Sequence, residues 1–139
     1  MQRFVVPTAL VAALSIAGCA YQQNVGFERS PRDAVVLAKA LDGKVAGAPR
    51  ACLGQPNTRE MTVVDEHTIL FRDGRTTWRN DPPGGCSNLG RPGYAMVTRL
   101  FGSQYCRGDI VHVVDTSSGM FAGSCGLGDF VPYSRPRRG

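Results

Sequence analysis

Four cysteines, Cys52, Cys86, Cys106 and Cys125, constrain this chain more than any other feature, because of what precedes them. Met1-Gln2-Arg3 carries one positive charge, and Phe4 to Leu14 is an apolar run broken only by Pro7 and Thr8. That is the length of a signal-peptide core and falls short of the about 20 residues a spanning helix needs. In an exported chain an even set of cysteines reads as disulfides, here two. Four cysteines permit three connectivities. Cys52–Cys125 with Cys86–Cys106 is favoured, because a small barrel brings its first and last strands together and the second bridge would staple a long glycine–proline loop. The in-order pairing, Cys52–Cys86 with Cys106–Cys125, stays open. Zinc is poorly served, since no two of these cysteines stand two to four apart and neither histidine stands at ligand spacing. A redox pair is equally poor without Cys-x-x-Cys.

The leader closes on Leu14-Ser15-Ile16-Ala17-Gly18-Cys19. This stretch resembles the lipobox of bacterial lipoproteins. The resemblance implies that residues 1–18 are removed and that Cys19 becomes an N-terminus carrying a thioether-linked diacylglycerol and an acylated amine. At about 0.8 kcal/mol per buried methylene, several chains hold a protein stably on a bilayer. Ala20, where an aspartate would favour the inner membrane of enteric bacteria, leans towards the outer membrane with the domain in the periplasm.

A net charge of +5 invites a nucleic-acid reading, but Arg135, Arg137 and Arg138 crowd the C-terminus and leave the remainder near neutral. A bare basic tail, residues 135–139, on a neutral exported domain does not support nucleic acid. The tail reads as a frayed terminus, with contact to anionic headgroups or wall polymer as the alternative.

Residues 19–29 have no periodicity and read as a tether. Ser30-Pro31-Arg32-Asp33 has the chemistry of a helix start: a capping hydroxyl, a proline in the first turn and an acid complementing the dipole. Asp42-Gly43 is the matching stop. From Arg50 the period changes. Thr62-Val63-Val64 and Thr68-Ile69-Leu70-Phe71 flank the polar corner Asp65-Glu66-His67, and Asp73-Gly74 is a two-residue hairpin signal. With that turn Phe71 would face Thr76, Ile69 would face Trp78, and Arg72 would face Arg75, placing Ile69, Phe71 and Trp78 in the core. Asn80 to Gly93 is a loop pinned by Cys86. Ala95–Phe101, Asp109–Asp115, Met120–Cys125 and Phe130–Tyr133 are further short strands, with a hairpin turn at Thr116-Ser117-Ser118-Gly119. The expectation is a mainly β domain over residues 30–134: a small antiparallel barrel or sandwich of six to seven short strands, one N-terminal helix and two disulfides.

No catalytic constellation emerges. His67 sits in a turn among acids, and His112 shares a strand face with Ile110 and Val114. Ser103, Ser117 and Ser118 lie in loops without a nucleophile elbow. Asp65, Glu66, Asp73, Asp109, Asp115 and Asp129 fall where turns begin or end. Arg107-Gly108-Asp109 reads as a turn rather than an adhesive tripeptide. No cofactor or metal is implied.

Leu41 to Cys52, Thr68-Ile69-Leu70-Phe71-Arg72, Trp78-Arg79-Asn80, Cys106-Arg107-Gly108-Asp109 and Gly126 to Tyr133 resemble, in order and spacing, a group of short proteobacterial envelope proteins of unknown function. The resemblance spans about residues 40–133. It implies one small exported domain and names no catalytic residue. In the closing strand, Phe130 should plug the core and Asp129 should hold a turn. The function expected is therefore non-catalytic: an outer-membrane lipoprotein of binding or accessory kind, with a protein or wall partner. An inhibitor of lysozyme type presenting Asn80 to Gly93 is the alternative, and a wall hydrolase comes after it.

Overall fold

A computed structural model describes residues 26–54, 60–99 and 102–137. Cys19, the leader, the tether before Gly26 and the last two residues of the basic tail lie outside the described residues, as do the last two positions of the strand expected over Ala95–Phe101.

The one helix among the described residues, α1 (Pro31–Leu41), begins as its sequence requires. The Ser30 hydroxyl accepts from the Asp33 N–H at 3.2 Å, Pro31 sits in the first turn, and Lys39 is in the last. The helix lies against β3 (Glu60–Asp65), with Leu37, Ala40 and Leu41 half-buried. Lys44 closes its far end, donating to the Ala40 carbonyl at 2.9 Å and to Thr77 Oγ1 at 2.6 Å. Burial, and after it Arg72 and Arg135, hold the Lys44 ammonium below its usual pKa.

Three antiparallel sheets follow. The largest runs β1 (Val45–Ala46), β10 (Phe130–Ser134), β5 (Thr76–Asn80), β4 (Thr68–Asp73), β3. A second runs β6 (Tyr94–Thr98), β8 (Ile110–Asp115), β9 (Phe121–Gly126). A ribbon pairs β2 (Cys52–Gly54) with β7 (Gln104–Cys106). Ile69, Phe71, Trp78 and Phe130 from the first sheet meet Val111, Val113 and Cys125 from the second, with Leu53 from the ribbon, in one core. The arrangement is sandwich-like. The sheets do not close into a barrel, and ten strands are formed among the described residues, because β1, β2 and β7 are only two or three residues long.

Ile69, Phe71 and Trp78 are core, on one face as expected. The β4–β5 turn, however, is Gly74-Arg75 rather than Asp73-Gly74, so Phe71 pairs with Trp78, Ile69 with Asn80 and Arg72 with Thr77. Gly74 takes φ +54° at the first central position while Arg75 keeps a negative φ, the pattern of a type II′ hairpin. The partner shift is two residues, which preserves the face and removes the Arg72–Arg75 opposition.

The disulfides correct both connectivities considered from the sequence. Cys52 pairs with Cys106 and Cys86 with Cys125. Cys52 and Cys106 are direct cross-strand partners in the ribbon, so the first cysteine strand meets β7 and not the end of the chain. Cys86 lies beside β9 because the Asn80–Gly93 loop runs along that strand's free edge. There Asn88 Nδ2 donates to the Ala122 carbonyl at 2.8 Å, and past the hairpin end the loop feeds into β6, where Gly93 O accepts both the Thr116 N–H (2.8 Å) and Thr116 Oγ1 (3.0 Å). The same loop touches the β3–β4 turn, where the Cys86 N–H donates to Glu66 O at 2.7 Å. The loop is thus the joint between the two larger sheets, with Cys86 and Leu89 buried in it.

Candidate functional site

The residues singled out for chemistry do structural work. Asp65 accepts the His67 N–H at 2.7 Å, and Asp109 the Cys106 N–H at 2.7 Å. Asp115 Oδ1 accepts the N–H groups of Ser117 (2.8 Å) and Ser118 (3.0 Å) as well as the Ser117 hydroxyl. Those bonds hold the Asp115 carboxyl down at a pKa of about 2. Arg107-Gly108-Asp109 is a turn, its Asp109 N–H reaching Cys106 O at 3.0 Å, and Asp129 pairs with Arg107 at 3.0 Å. Among the described residues, no group of three or more His, Cys, Asp or Glu is placed to hold a metal ion. No described helix is long and apolar enough to cross a membrane.

His67 sits among acids as the sequence suggested, with Glu66 Oε1 3.7 Å from its Nε2, and has a further neighbour that the sequence did not suggest. The Phe27 ring stacks on it at 3.8 Å between centroids, and Arg29 reaches past to Asp65 and to Thr68 Oγ1 (2.6 Å). Phe27 and Arg29 therefore clasp the incoming chain onto the β3–β4 turn. Between this clasp, Asp33 and Arg91 lies a cleft of about 210 Å³. That is below the roughly 300 Å³ at which small-molecule sites begin.

The other feature is a surface. Along β8, Val111 and Val113 face the core, so Ile110, His112 and Val114 face out. Register places Ala95 and Val97 of β6 beside Val114 and His112. A bulge at Ala122 in β9 turns Phe121 to the same side, opposite Val114, with its ring 5.8 Å from His112. Ile110 is 55% exposed, Val97 42%, Phe121 66% and the adjoining Met120 68%. The outer face of the three-stranded sheet is thus an apolar face open to solvent, which a small domain rarely keeps without use. The shared face of Ile110, His112 and Val114 was legible in strand alternation. The signal that they lie outside was the apolar residues on both sides of β8, which in a chain this short cannot all be buried.

Comparison with protein-family models, with curated proteins and with solved structures finds no match.

Proposed function

We propose that this protein is an envelope lipoprotein, acylated at Cys19 and held at the outer membrane, whose stapled β-rich domain acts by binding a partner rather than by catalysis. The anchoring half of the reading stands on the lipobox-like Leu14–Cys19 and on disulfides that suit an oxidising compartment. The binding half is carried by one observation, the solvent-facing apolar surface of the three-stranded sheet around Val97 and Ile110.

The inhibitor alternative needs Asn80–Gly93 to project into a partner's cleft. That loop instead has Pro82, Cys86 and Leu89 buried and serves as the joint between sheets, which favours the sheet face as the working surface.

The test has two arms. Mass analysis of the N-terminal peptide from the membrane-purified protein should find Cys19 acylated, and Cys19→Ala should abolish membrane retention of the processed protein. Affinity capture from an envelope extract should retain a dominant partner that Val97→Asp with Ile110→Asp releases. Capture that ignores these substitutions and fades with salt would overturn the assignment of the face.

A further inference from the structure

We infer that the end of the β8–β9 hairpin, through Met120 and Phe121, is a second membrane contact that enters the interfacial region of the bilayer. This rests on the reading of Cys19 as an acylated anchor.

The first support is distance. Cys19 lies eight residues before Phe27, and a fully extended chain spans at most about 3.5 Å per residue, so the anchor sits within about 28 Å of Phe27. Phe27 is fixed on the domain by its stack on His67, and Arg29 holds the next turn through Asp65. The tether thus leaves the domain at the β3–β4 turn and holds that turn within about 28 Å of the anchor, which makes that end of the domain the one nearest the bilayer when the tether is not fully extended.

The second support is what shares that end of the molecule. Gly90 packs against the Asp65 backbone, and three residues later Gly93 O receives both donors of Thr116, the first residue of the β8–β9 turn. Met120 closes the same turn, its carbonyl accepting the Asp115 N–H at 2.9 Å. The Asn80–Gly93 joint thus sets the hairpin end beside the anchoring clasp. Arg72 and Lys44 lie at the other end of the five-stranded sheet, where β4 and α1 finish.

The third support is composition. A methionine and a phenylalanine, each about two-thirds exposed, follow one another beside a turn whose Ser117 and Ser118 N–H groups are held by the Asp115 carboxylate. An apolar pair beside a turn whose N–H groups from Thr116 to Met120 are all bonded within the protein suits the headgroup–acyl boundary, where burial of each such side chain is favourable and the free turn carbonyls can face the wet headgroup side. A single exposed apolar residue would carry no such reading.

Indole fluorescence tests this directly. The acylated full chain contains only Trp78, which is core and out of reach of lipid. Phe121→Trp adds a reporter at the hairpin end, and Arg75→Trp adds one at the far β4–β5 turn; both positions are surface turns or edges that tolerate an indole. Each protein is reconstituted into phosphatidylcholine–phosphatidylglycerol vesicles with and without brominated acyl chains. The expected result is a blue shift and loss of emission for Phe121→Trp, with Arg75→Trp unchanged from wild type. Equal quenching of both, or of neither, overturns the inference. The mass of the Cys19 peptide is read on the same samples. Acylation without quenching sinks the hairpin contact alone. Quenching without acylation sinks the anchor alone and leaves the hairpin binding lipid by itself.

Discussion

Asp115 spends one carboxylate oxygen on two backbone N–H groups and a hydroxyl, and that concentration of donors has a pH signature. Its folded pKa of about 2 lies below the ordinary 3.8, so the carboxylate's contribution to stability is complete above 3.8 and disappears as pH falls through about 2. Carbon-detected NMR titration should find the Asp115 midpoint near that low value, and Ser117→Ala should move it back towards 3.8. A midpoint unchanged by Ser117→Ala would mean the hydroxyl is not a donor in solution. Asn80 makes the opposite kind of bond, wholly buried. Its Nδ2 donates to Gly128 O at 2.7 Å and its Oδ1 accepts the Gly128 N–H at 3.0 Å. Asn80→Leu keeps the volume and strands both backbone groups, so urea denaturation should register a loss of about 2–4 kcal/mol. A loss below about 1 kcal/mol would show that water replaces the side chain.

At the scale of elements, the clasp and the hairpins separate what the sequence could say from what it could not. Gly85 lies against the His67 ring that carries Phe27, and an added Cβ would meet ring atoms at 2.6–2.9 Å while the backbone holds φ +77°. Gly85→Ala should therefore cost about 1–3 kcal/mol and release the Phe27 segment to limited proteolysis, whereas Phe27→Ala should release it with little loss of global stability. Intact protection in both variants would refute the clasp. Local chemistry was readable: Ser30, Pro31 and Asp33 announce the helix start, and alternation put Ile69, Phe71 and Trp78 on one face. The β4–β5 turn was misplaced by one residue because Asp-Gly and Gly-Arg are both good turns, and only pairing with β10 and β3 decides between them. Phe27 and Arg29 were unreadable, since a stack on His67 and a pair with Asp65 join segments with no shared periodicity.

At the scale of the molecule, two sheets, a ribbon and a loop are held together by long-range choices that no local pattern encodes, and the disulfides record them. Cys52–Cys106 closes a ribbon already paired strand to strand, with both cysteines half-buried. Cys86–Cys125 ties the joint to β9, and both of its residues sit in the core shared by the two sheets. Loop-closure entropy gives the two bridges nearly equal weight, about 4 kcal/mol each for spans of 54 and 39 residues. Entropy alone thus predicts that removing either costs the same. Packing predicts otherwise, because replacing buried sulfurs at Cys86 and Cys125 by serine hydroxyls also puts two polar groups into the core. Cys86→Ser with Cys125→Ser should therefore destabilise by more than Cys52→Ser with Cys106→Ser, by about 2 kcal/mol or more in guanidinium titrations, and should raise hydrogen exchange along β9 and the β3–β4 turn together. Coupled exchange at those two sites is the decisive readout, since the Asn80–Gly93 loop bonds to both, through the Cys86 N–H on Glu66 O and through Asn88 and Cys86 on β9: equal losses with exchange confined to β9 would mean that the sheets are held by side-chain packing alone and that the loop is not their joint.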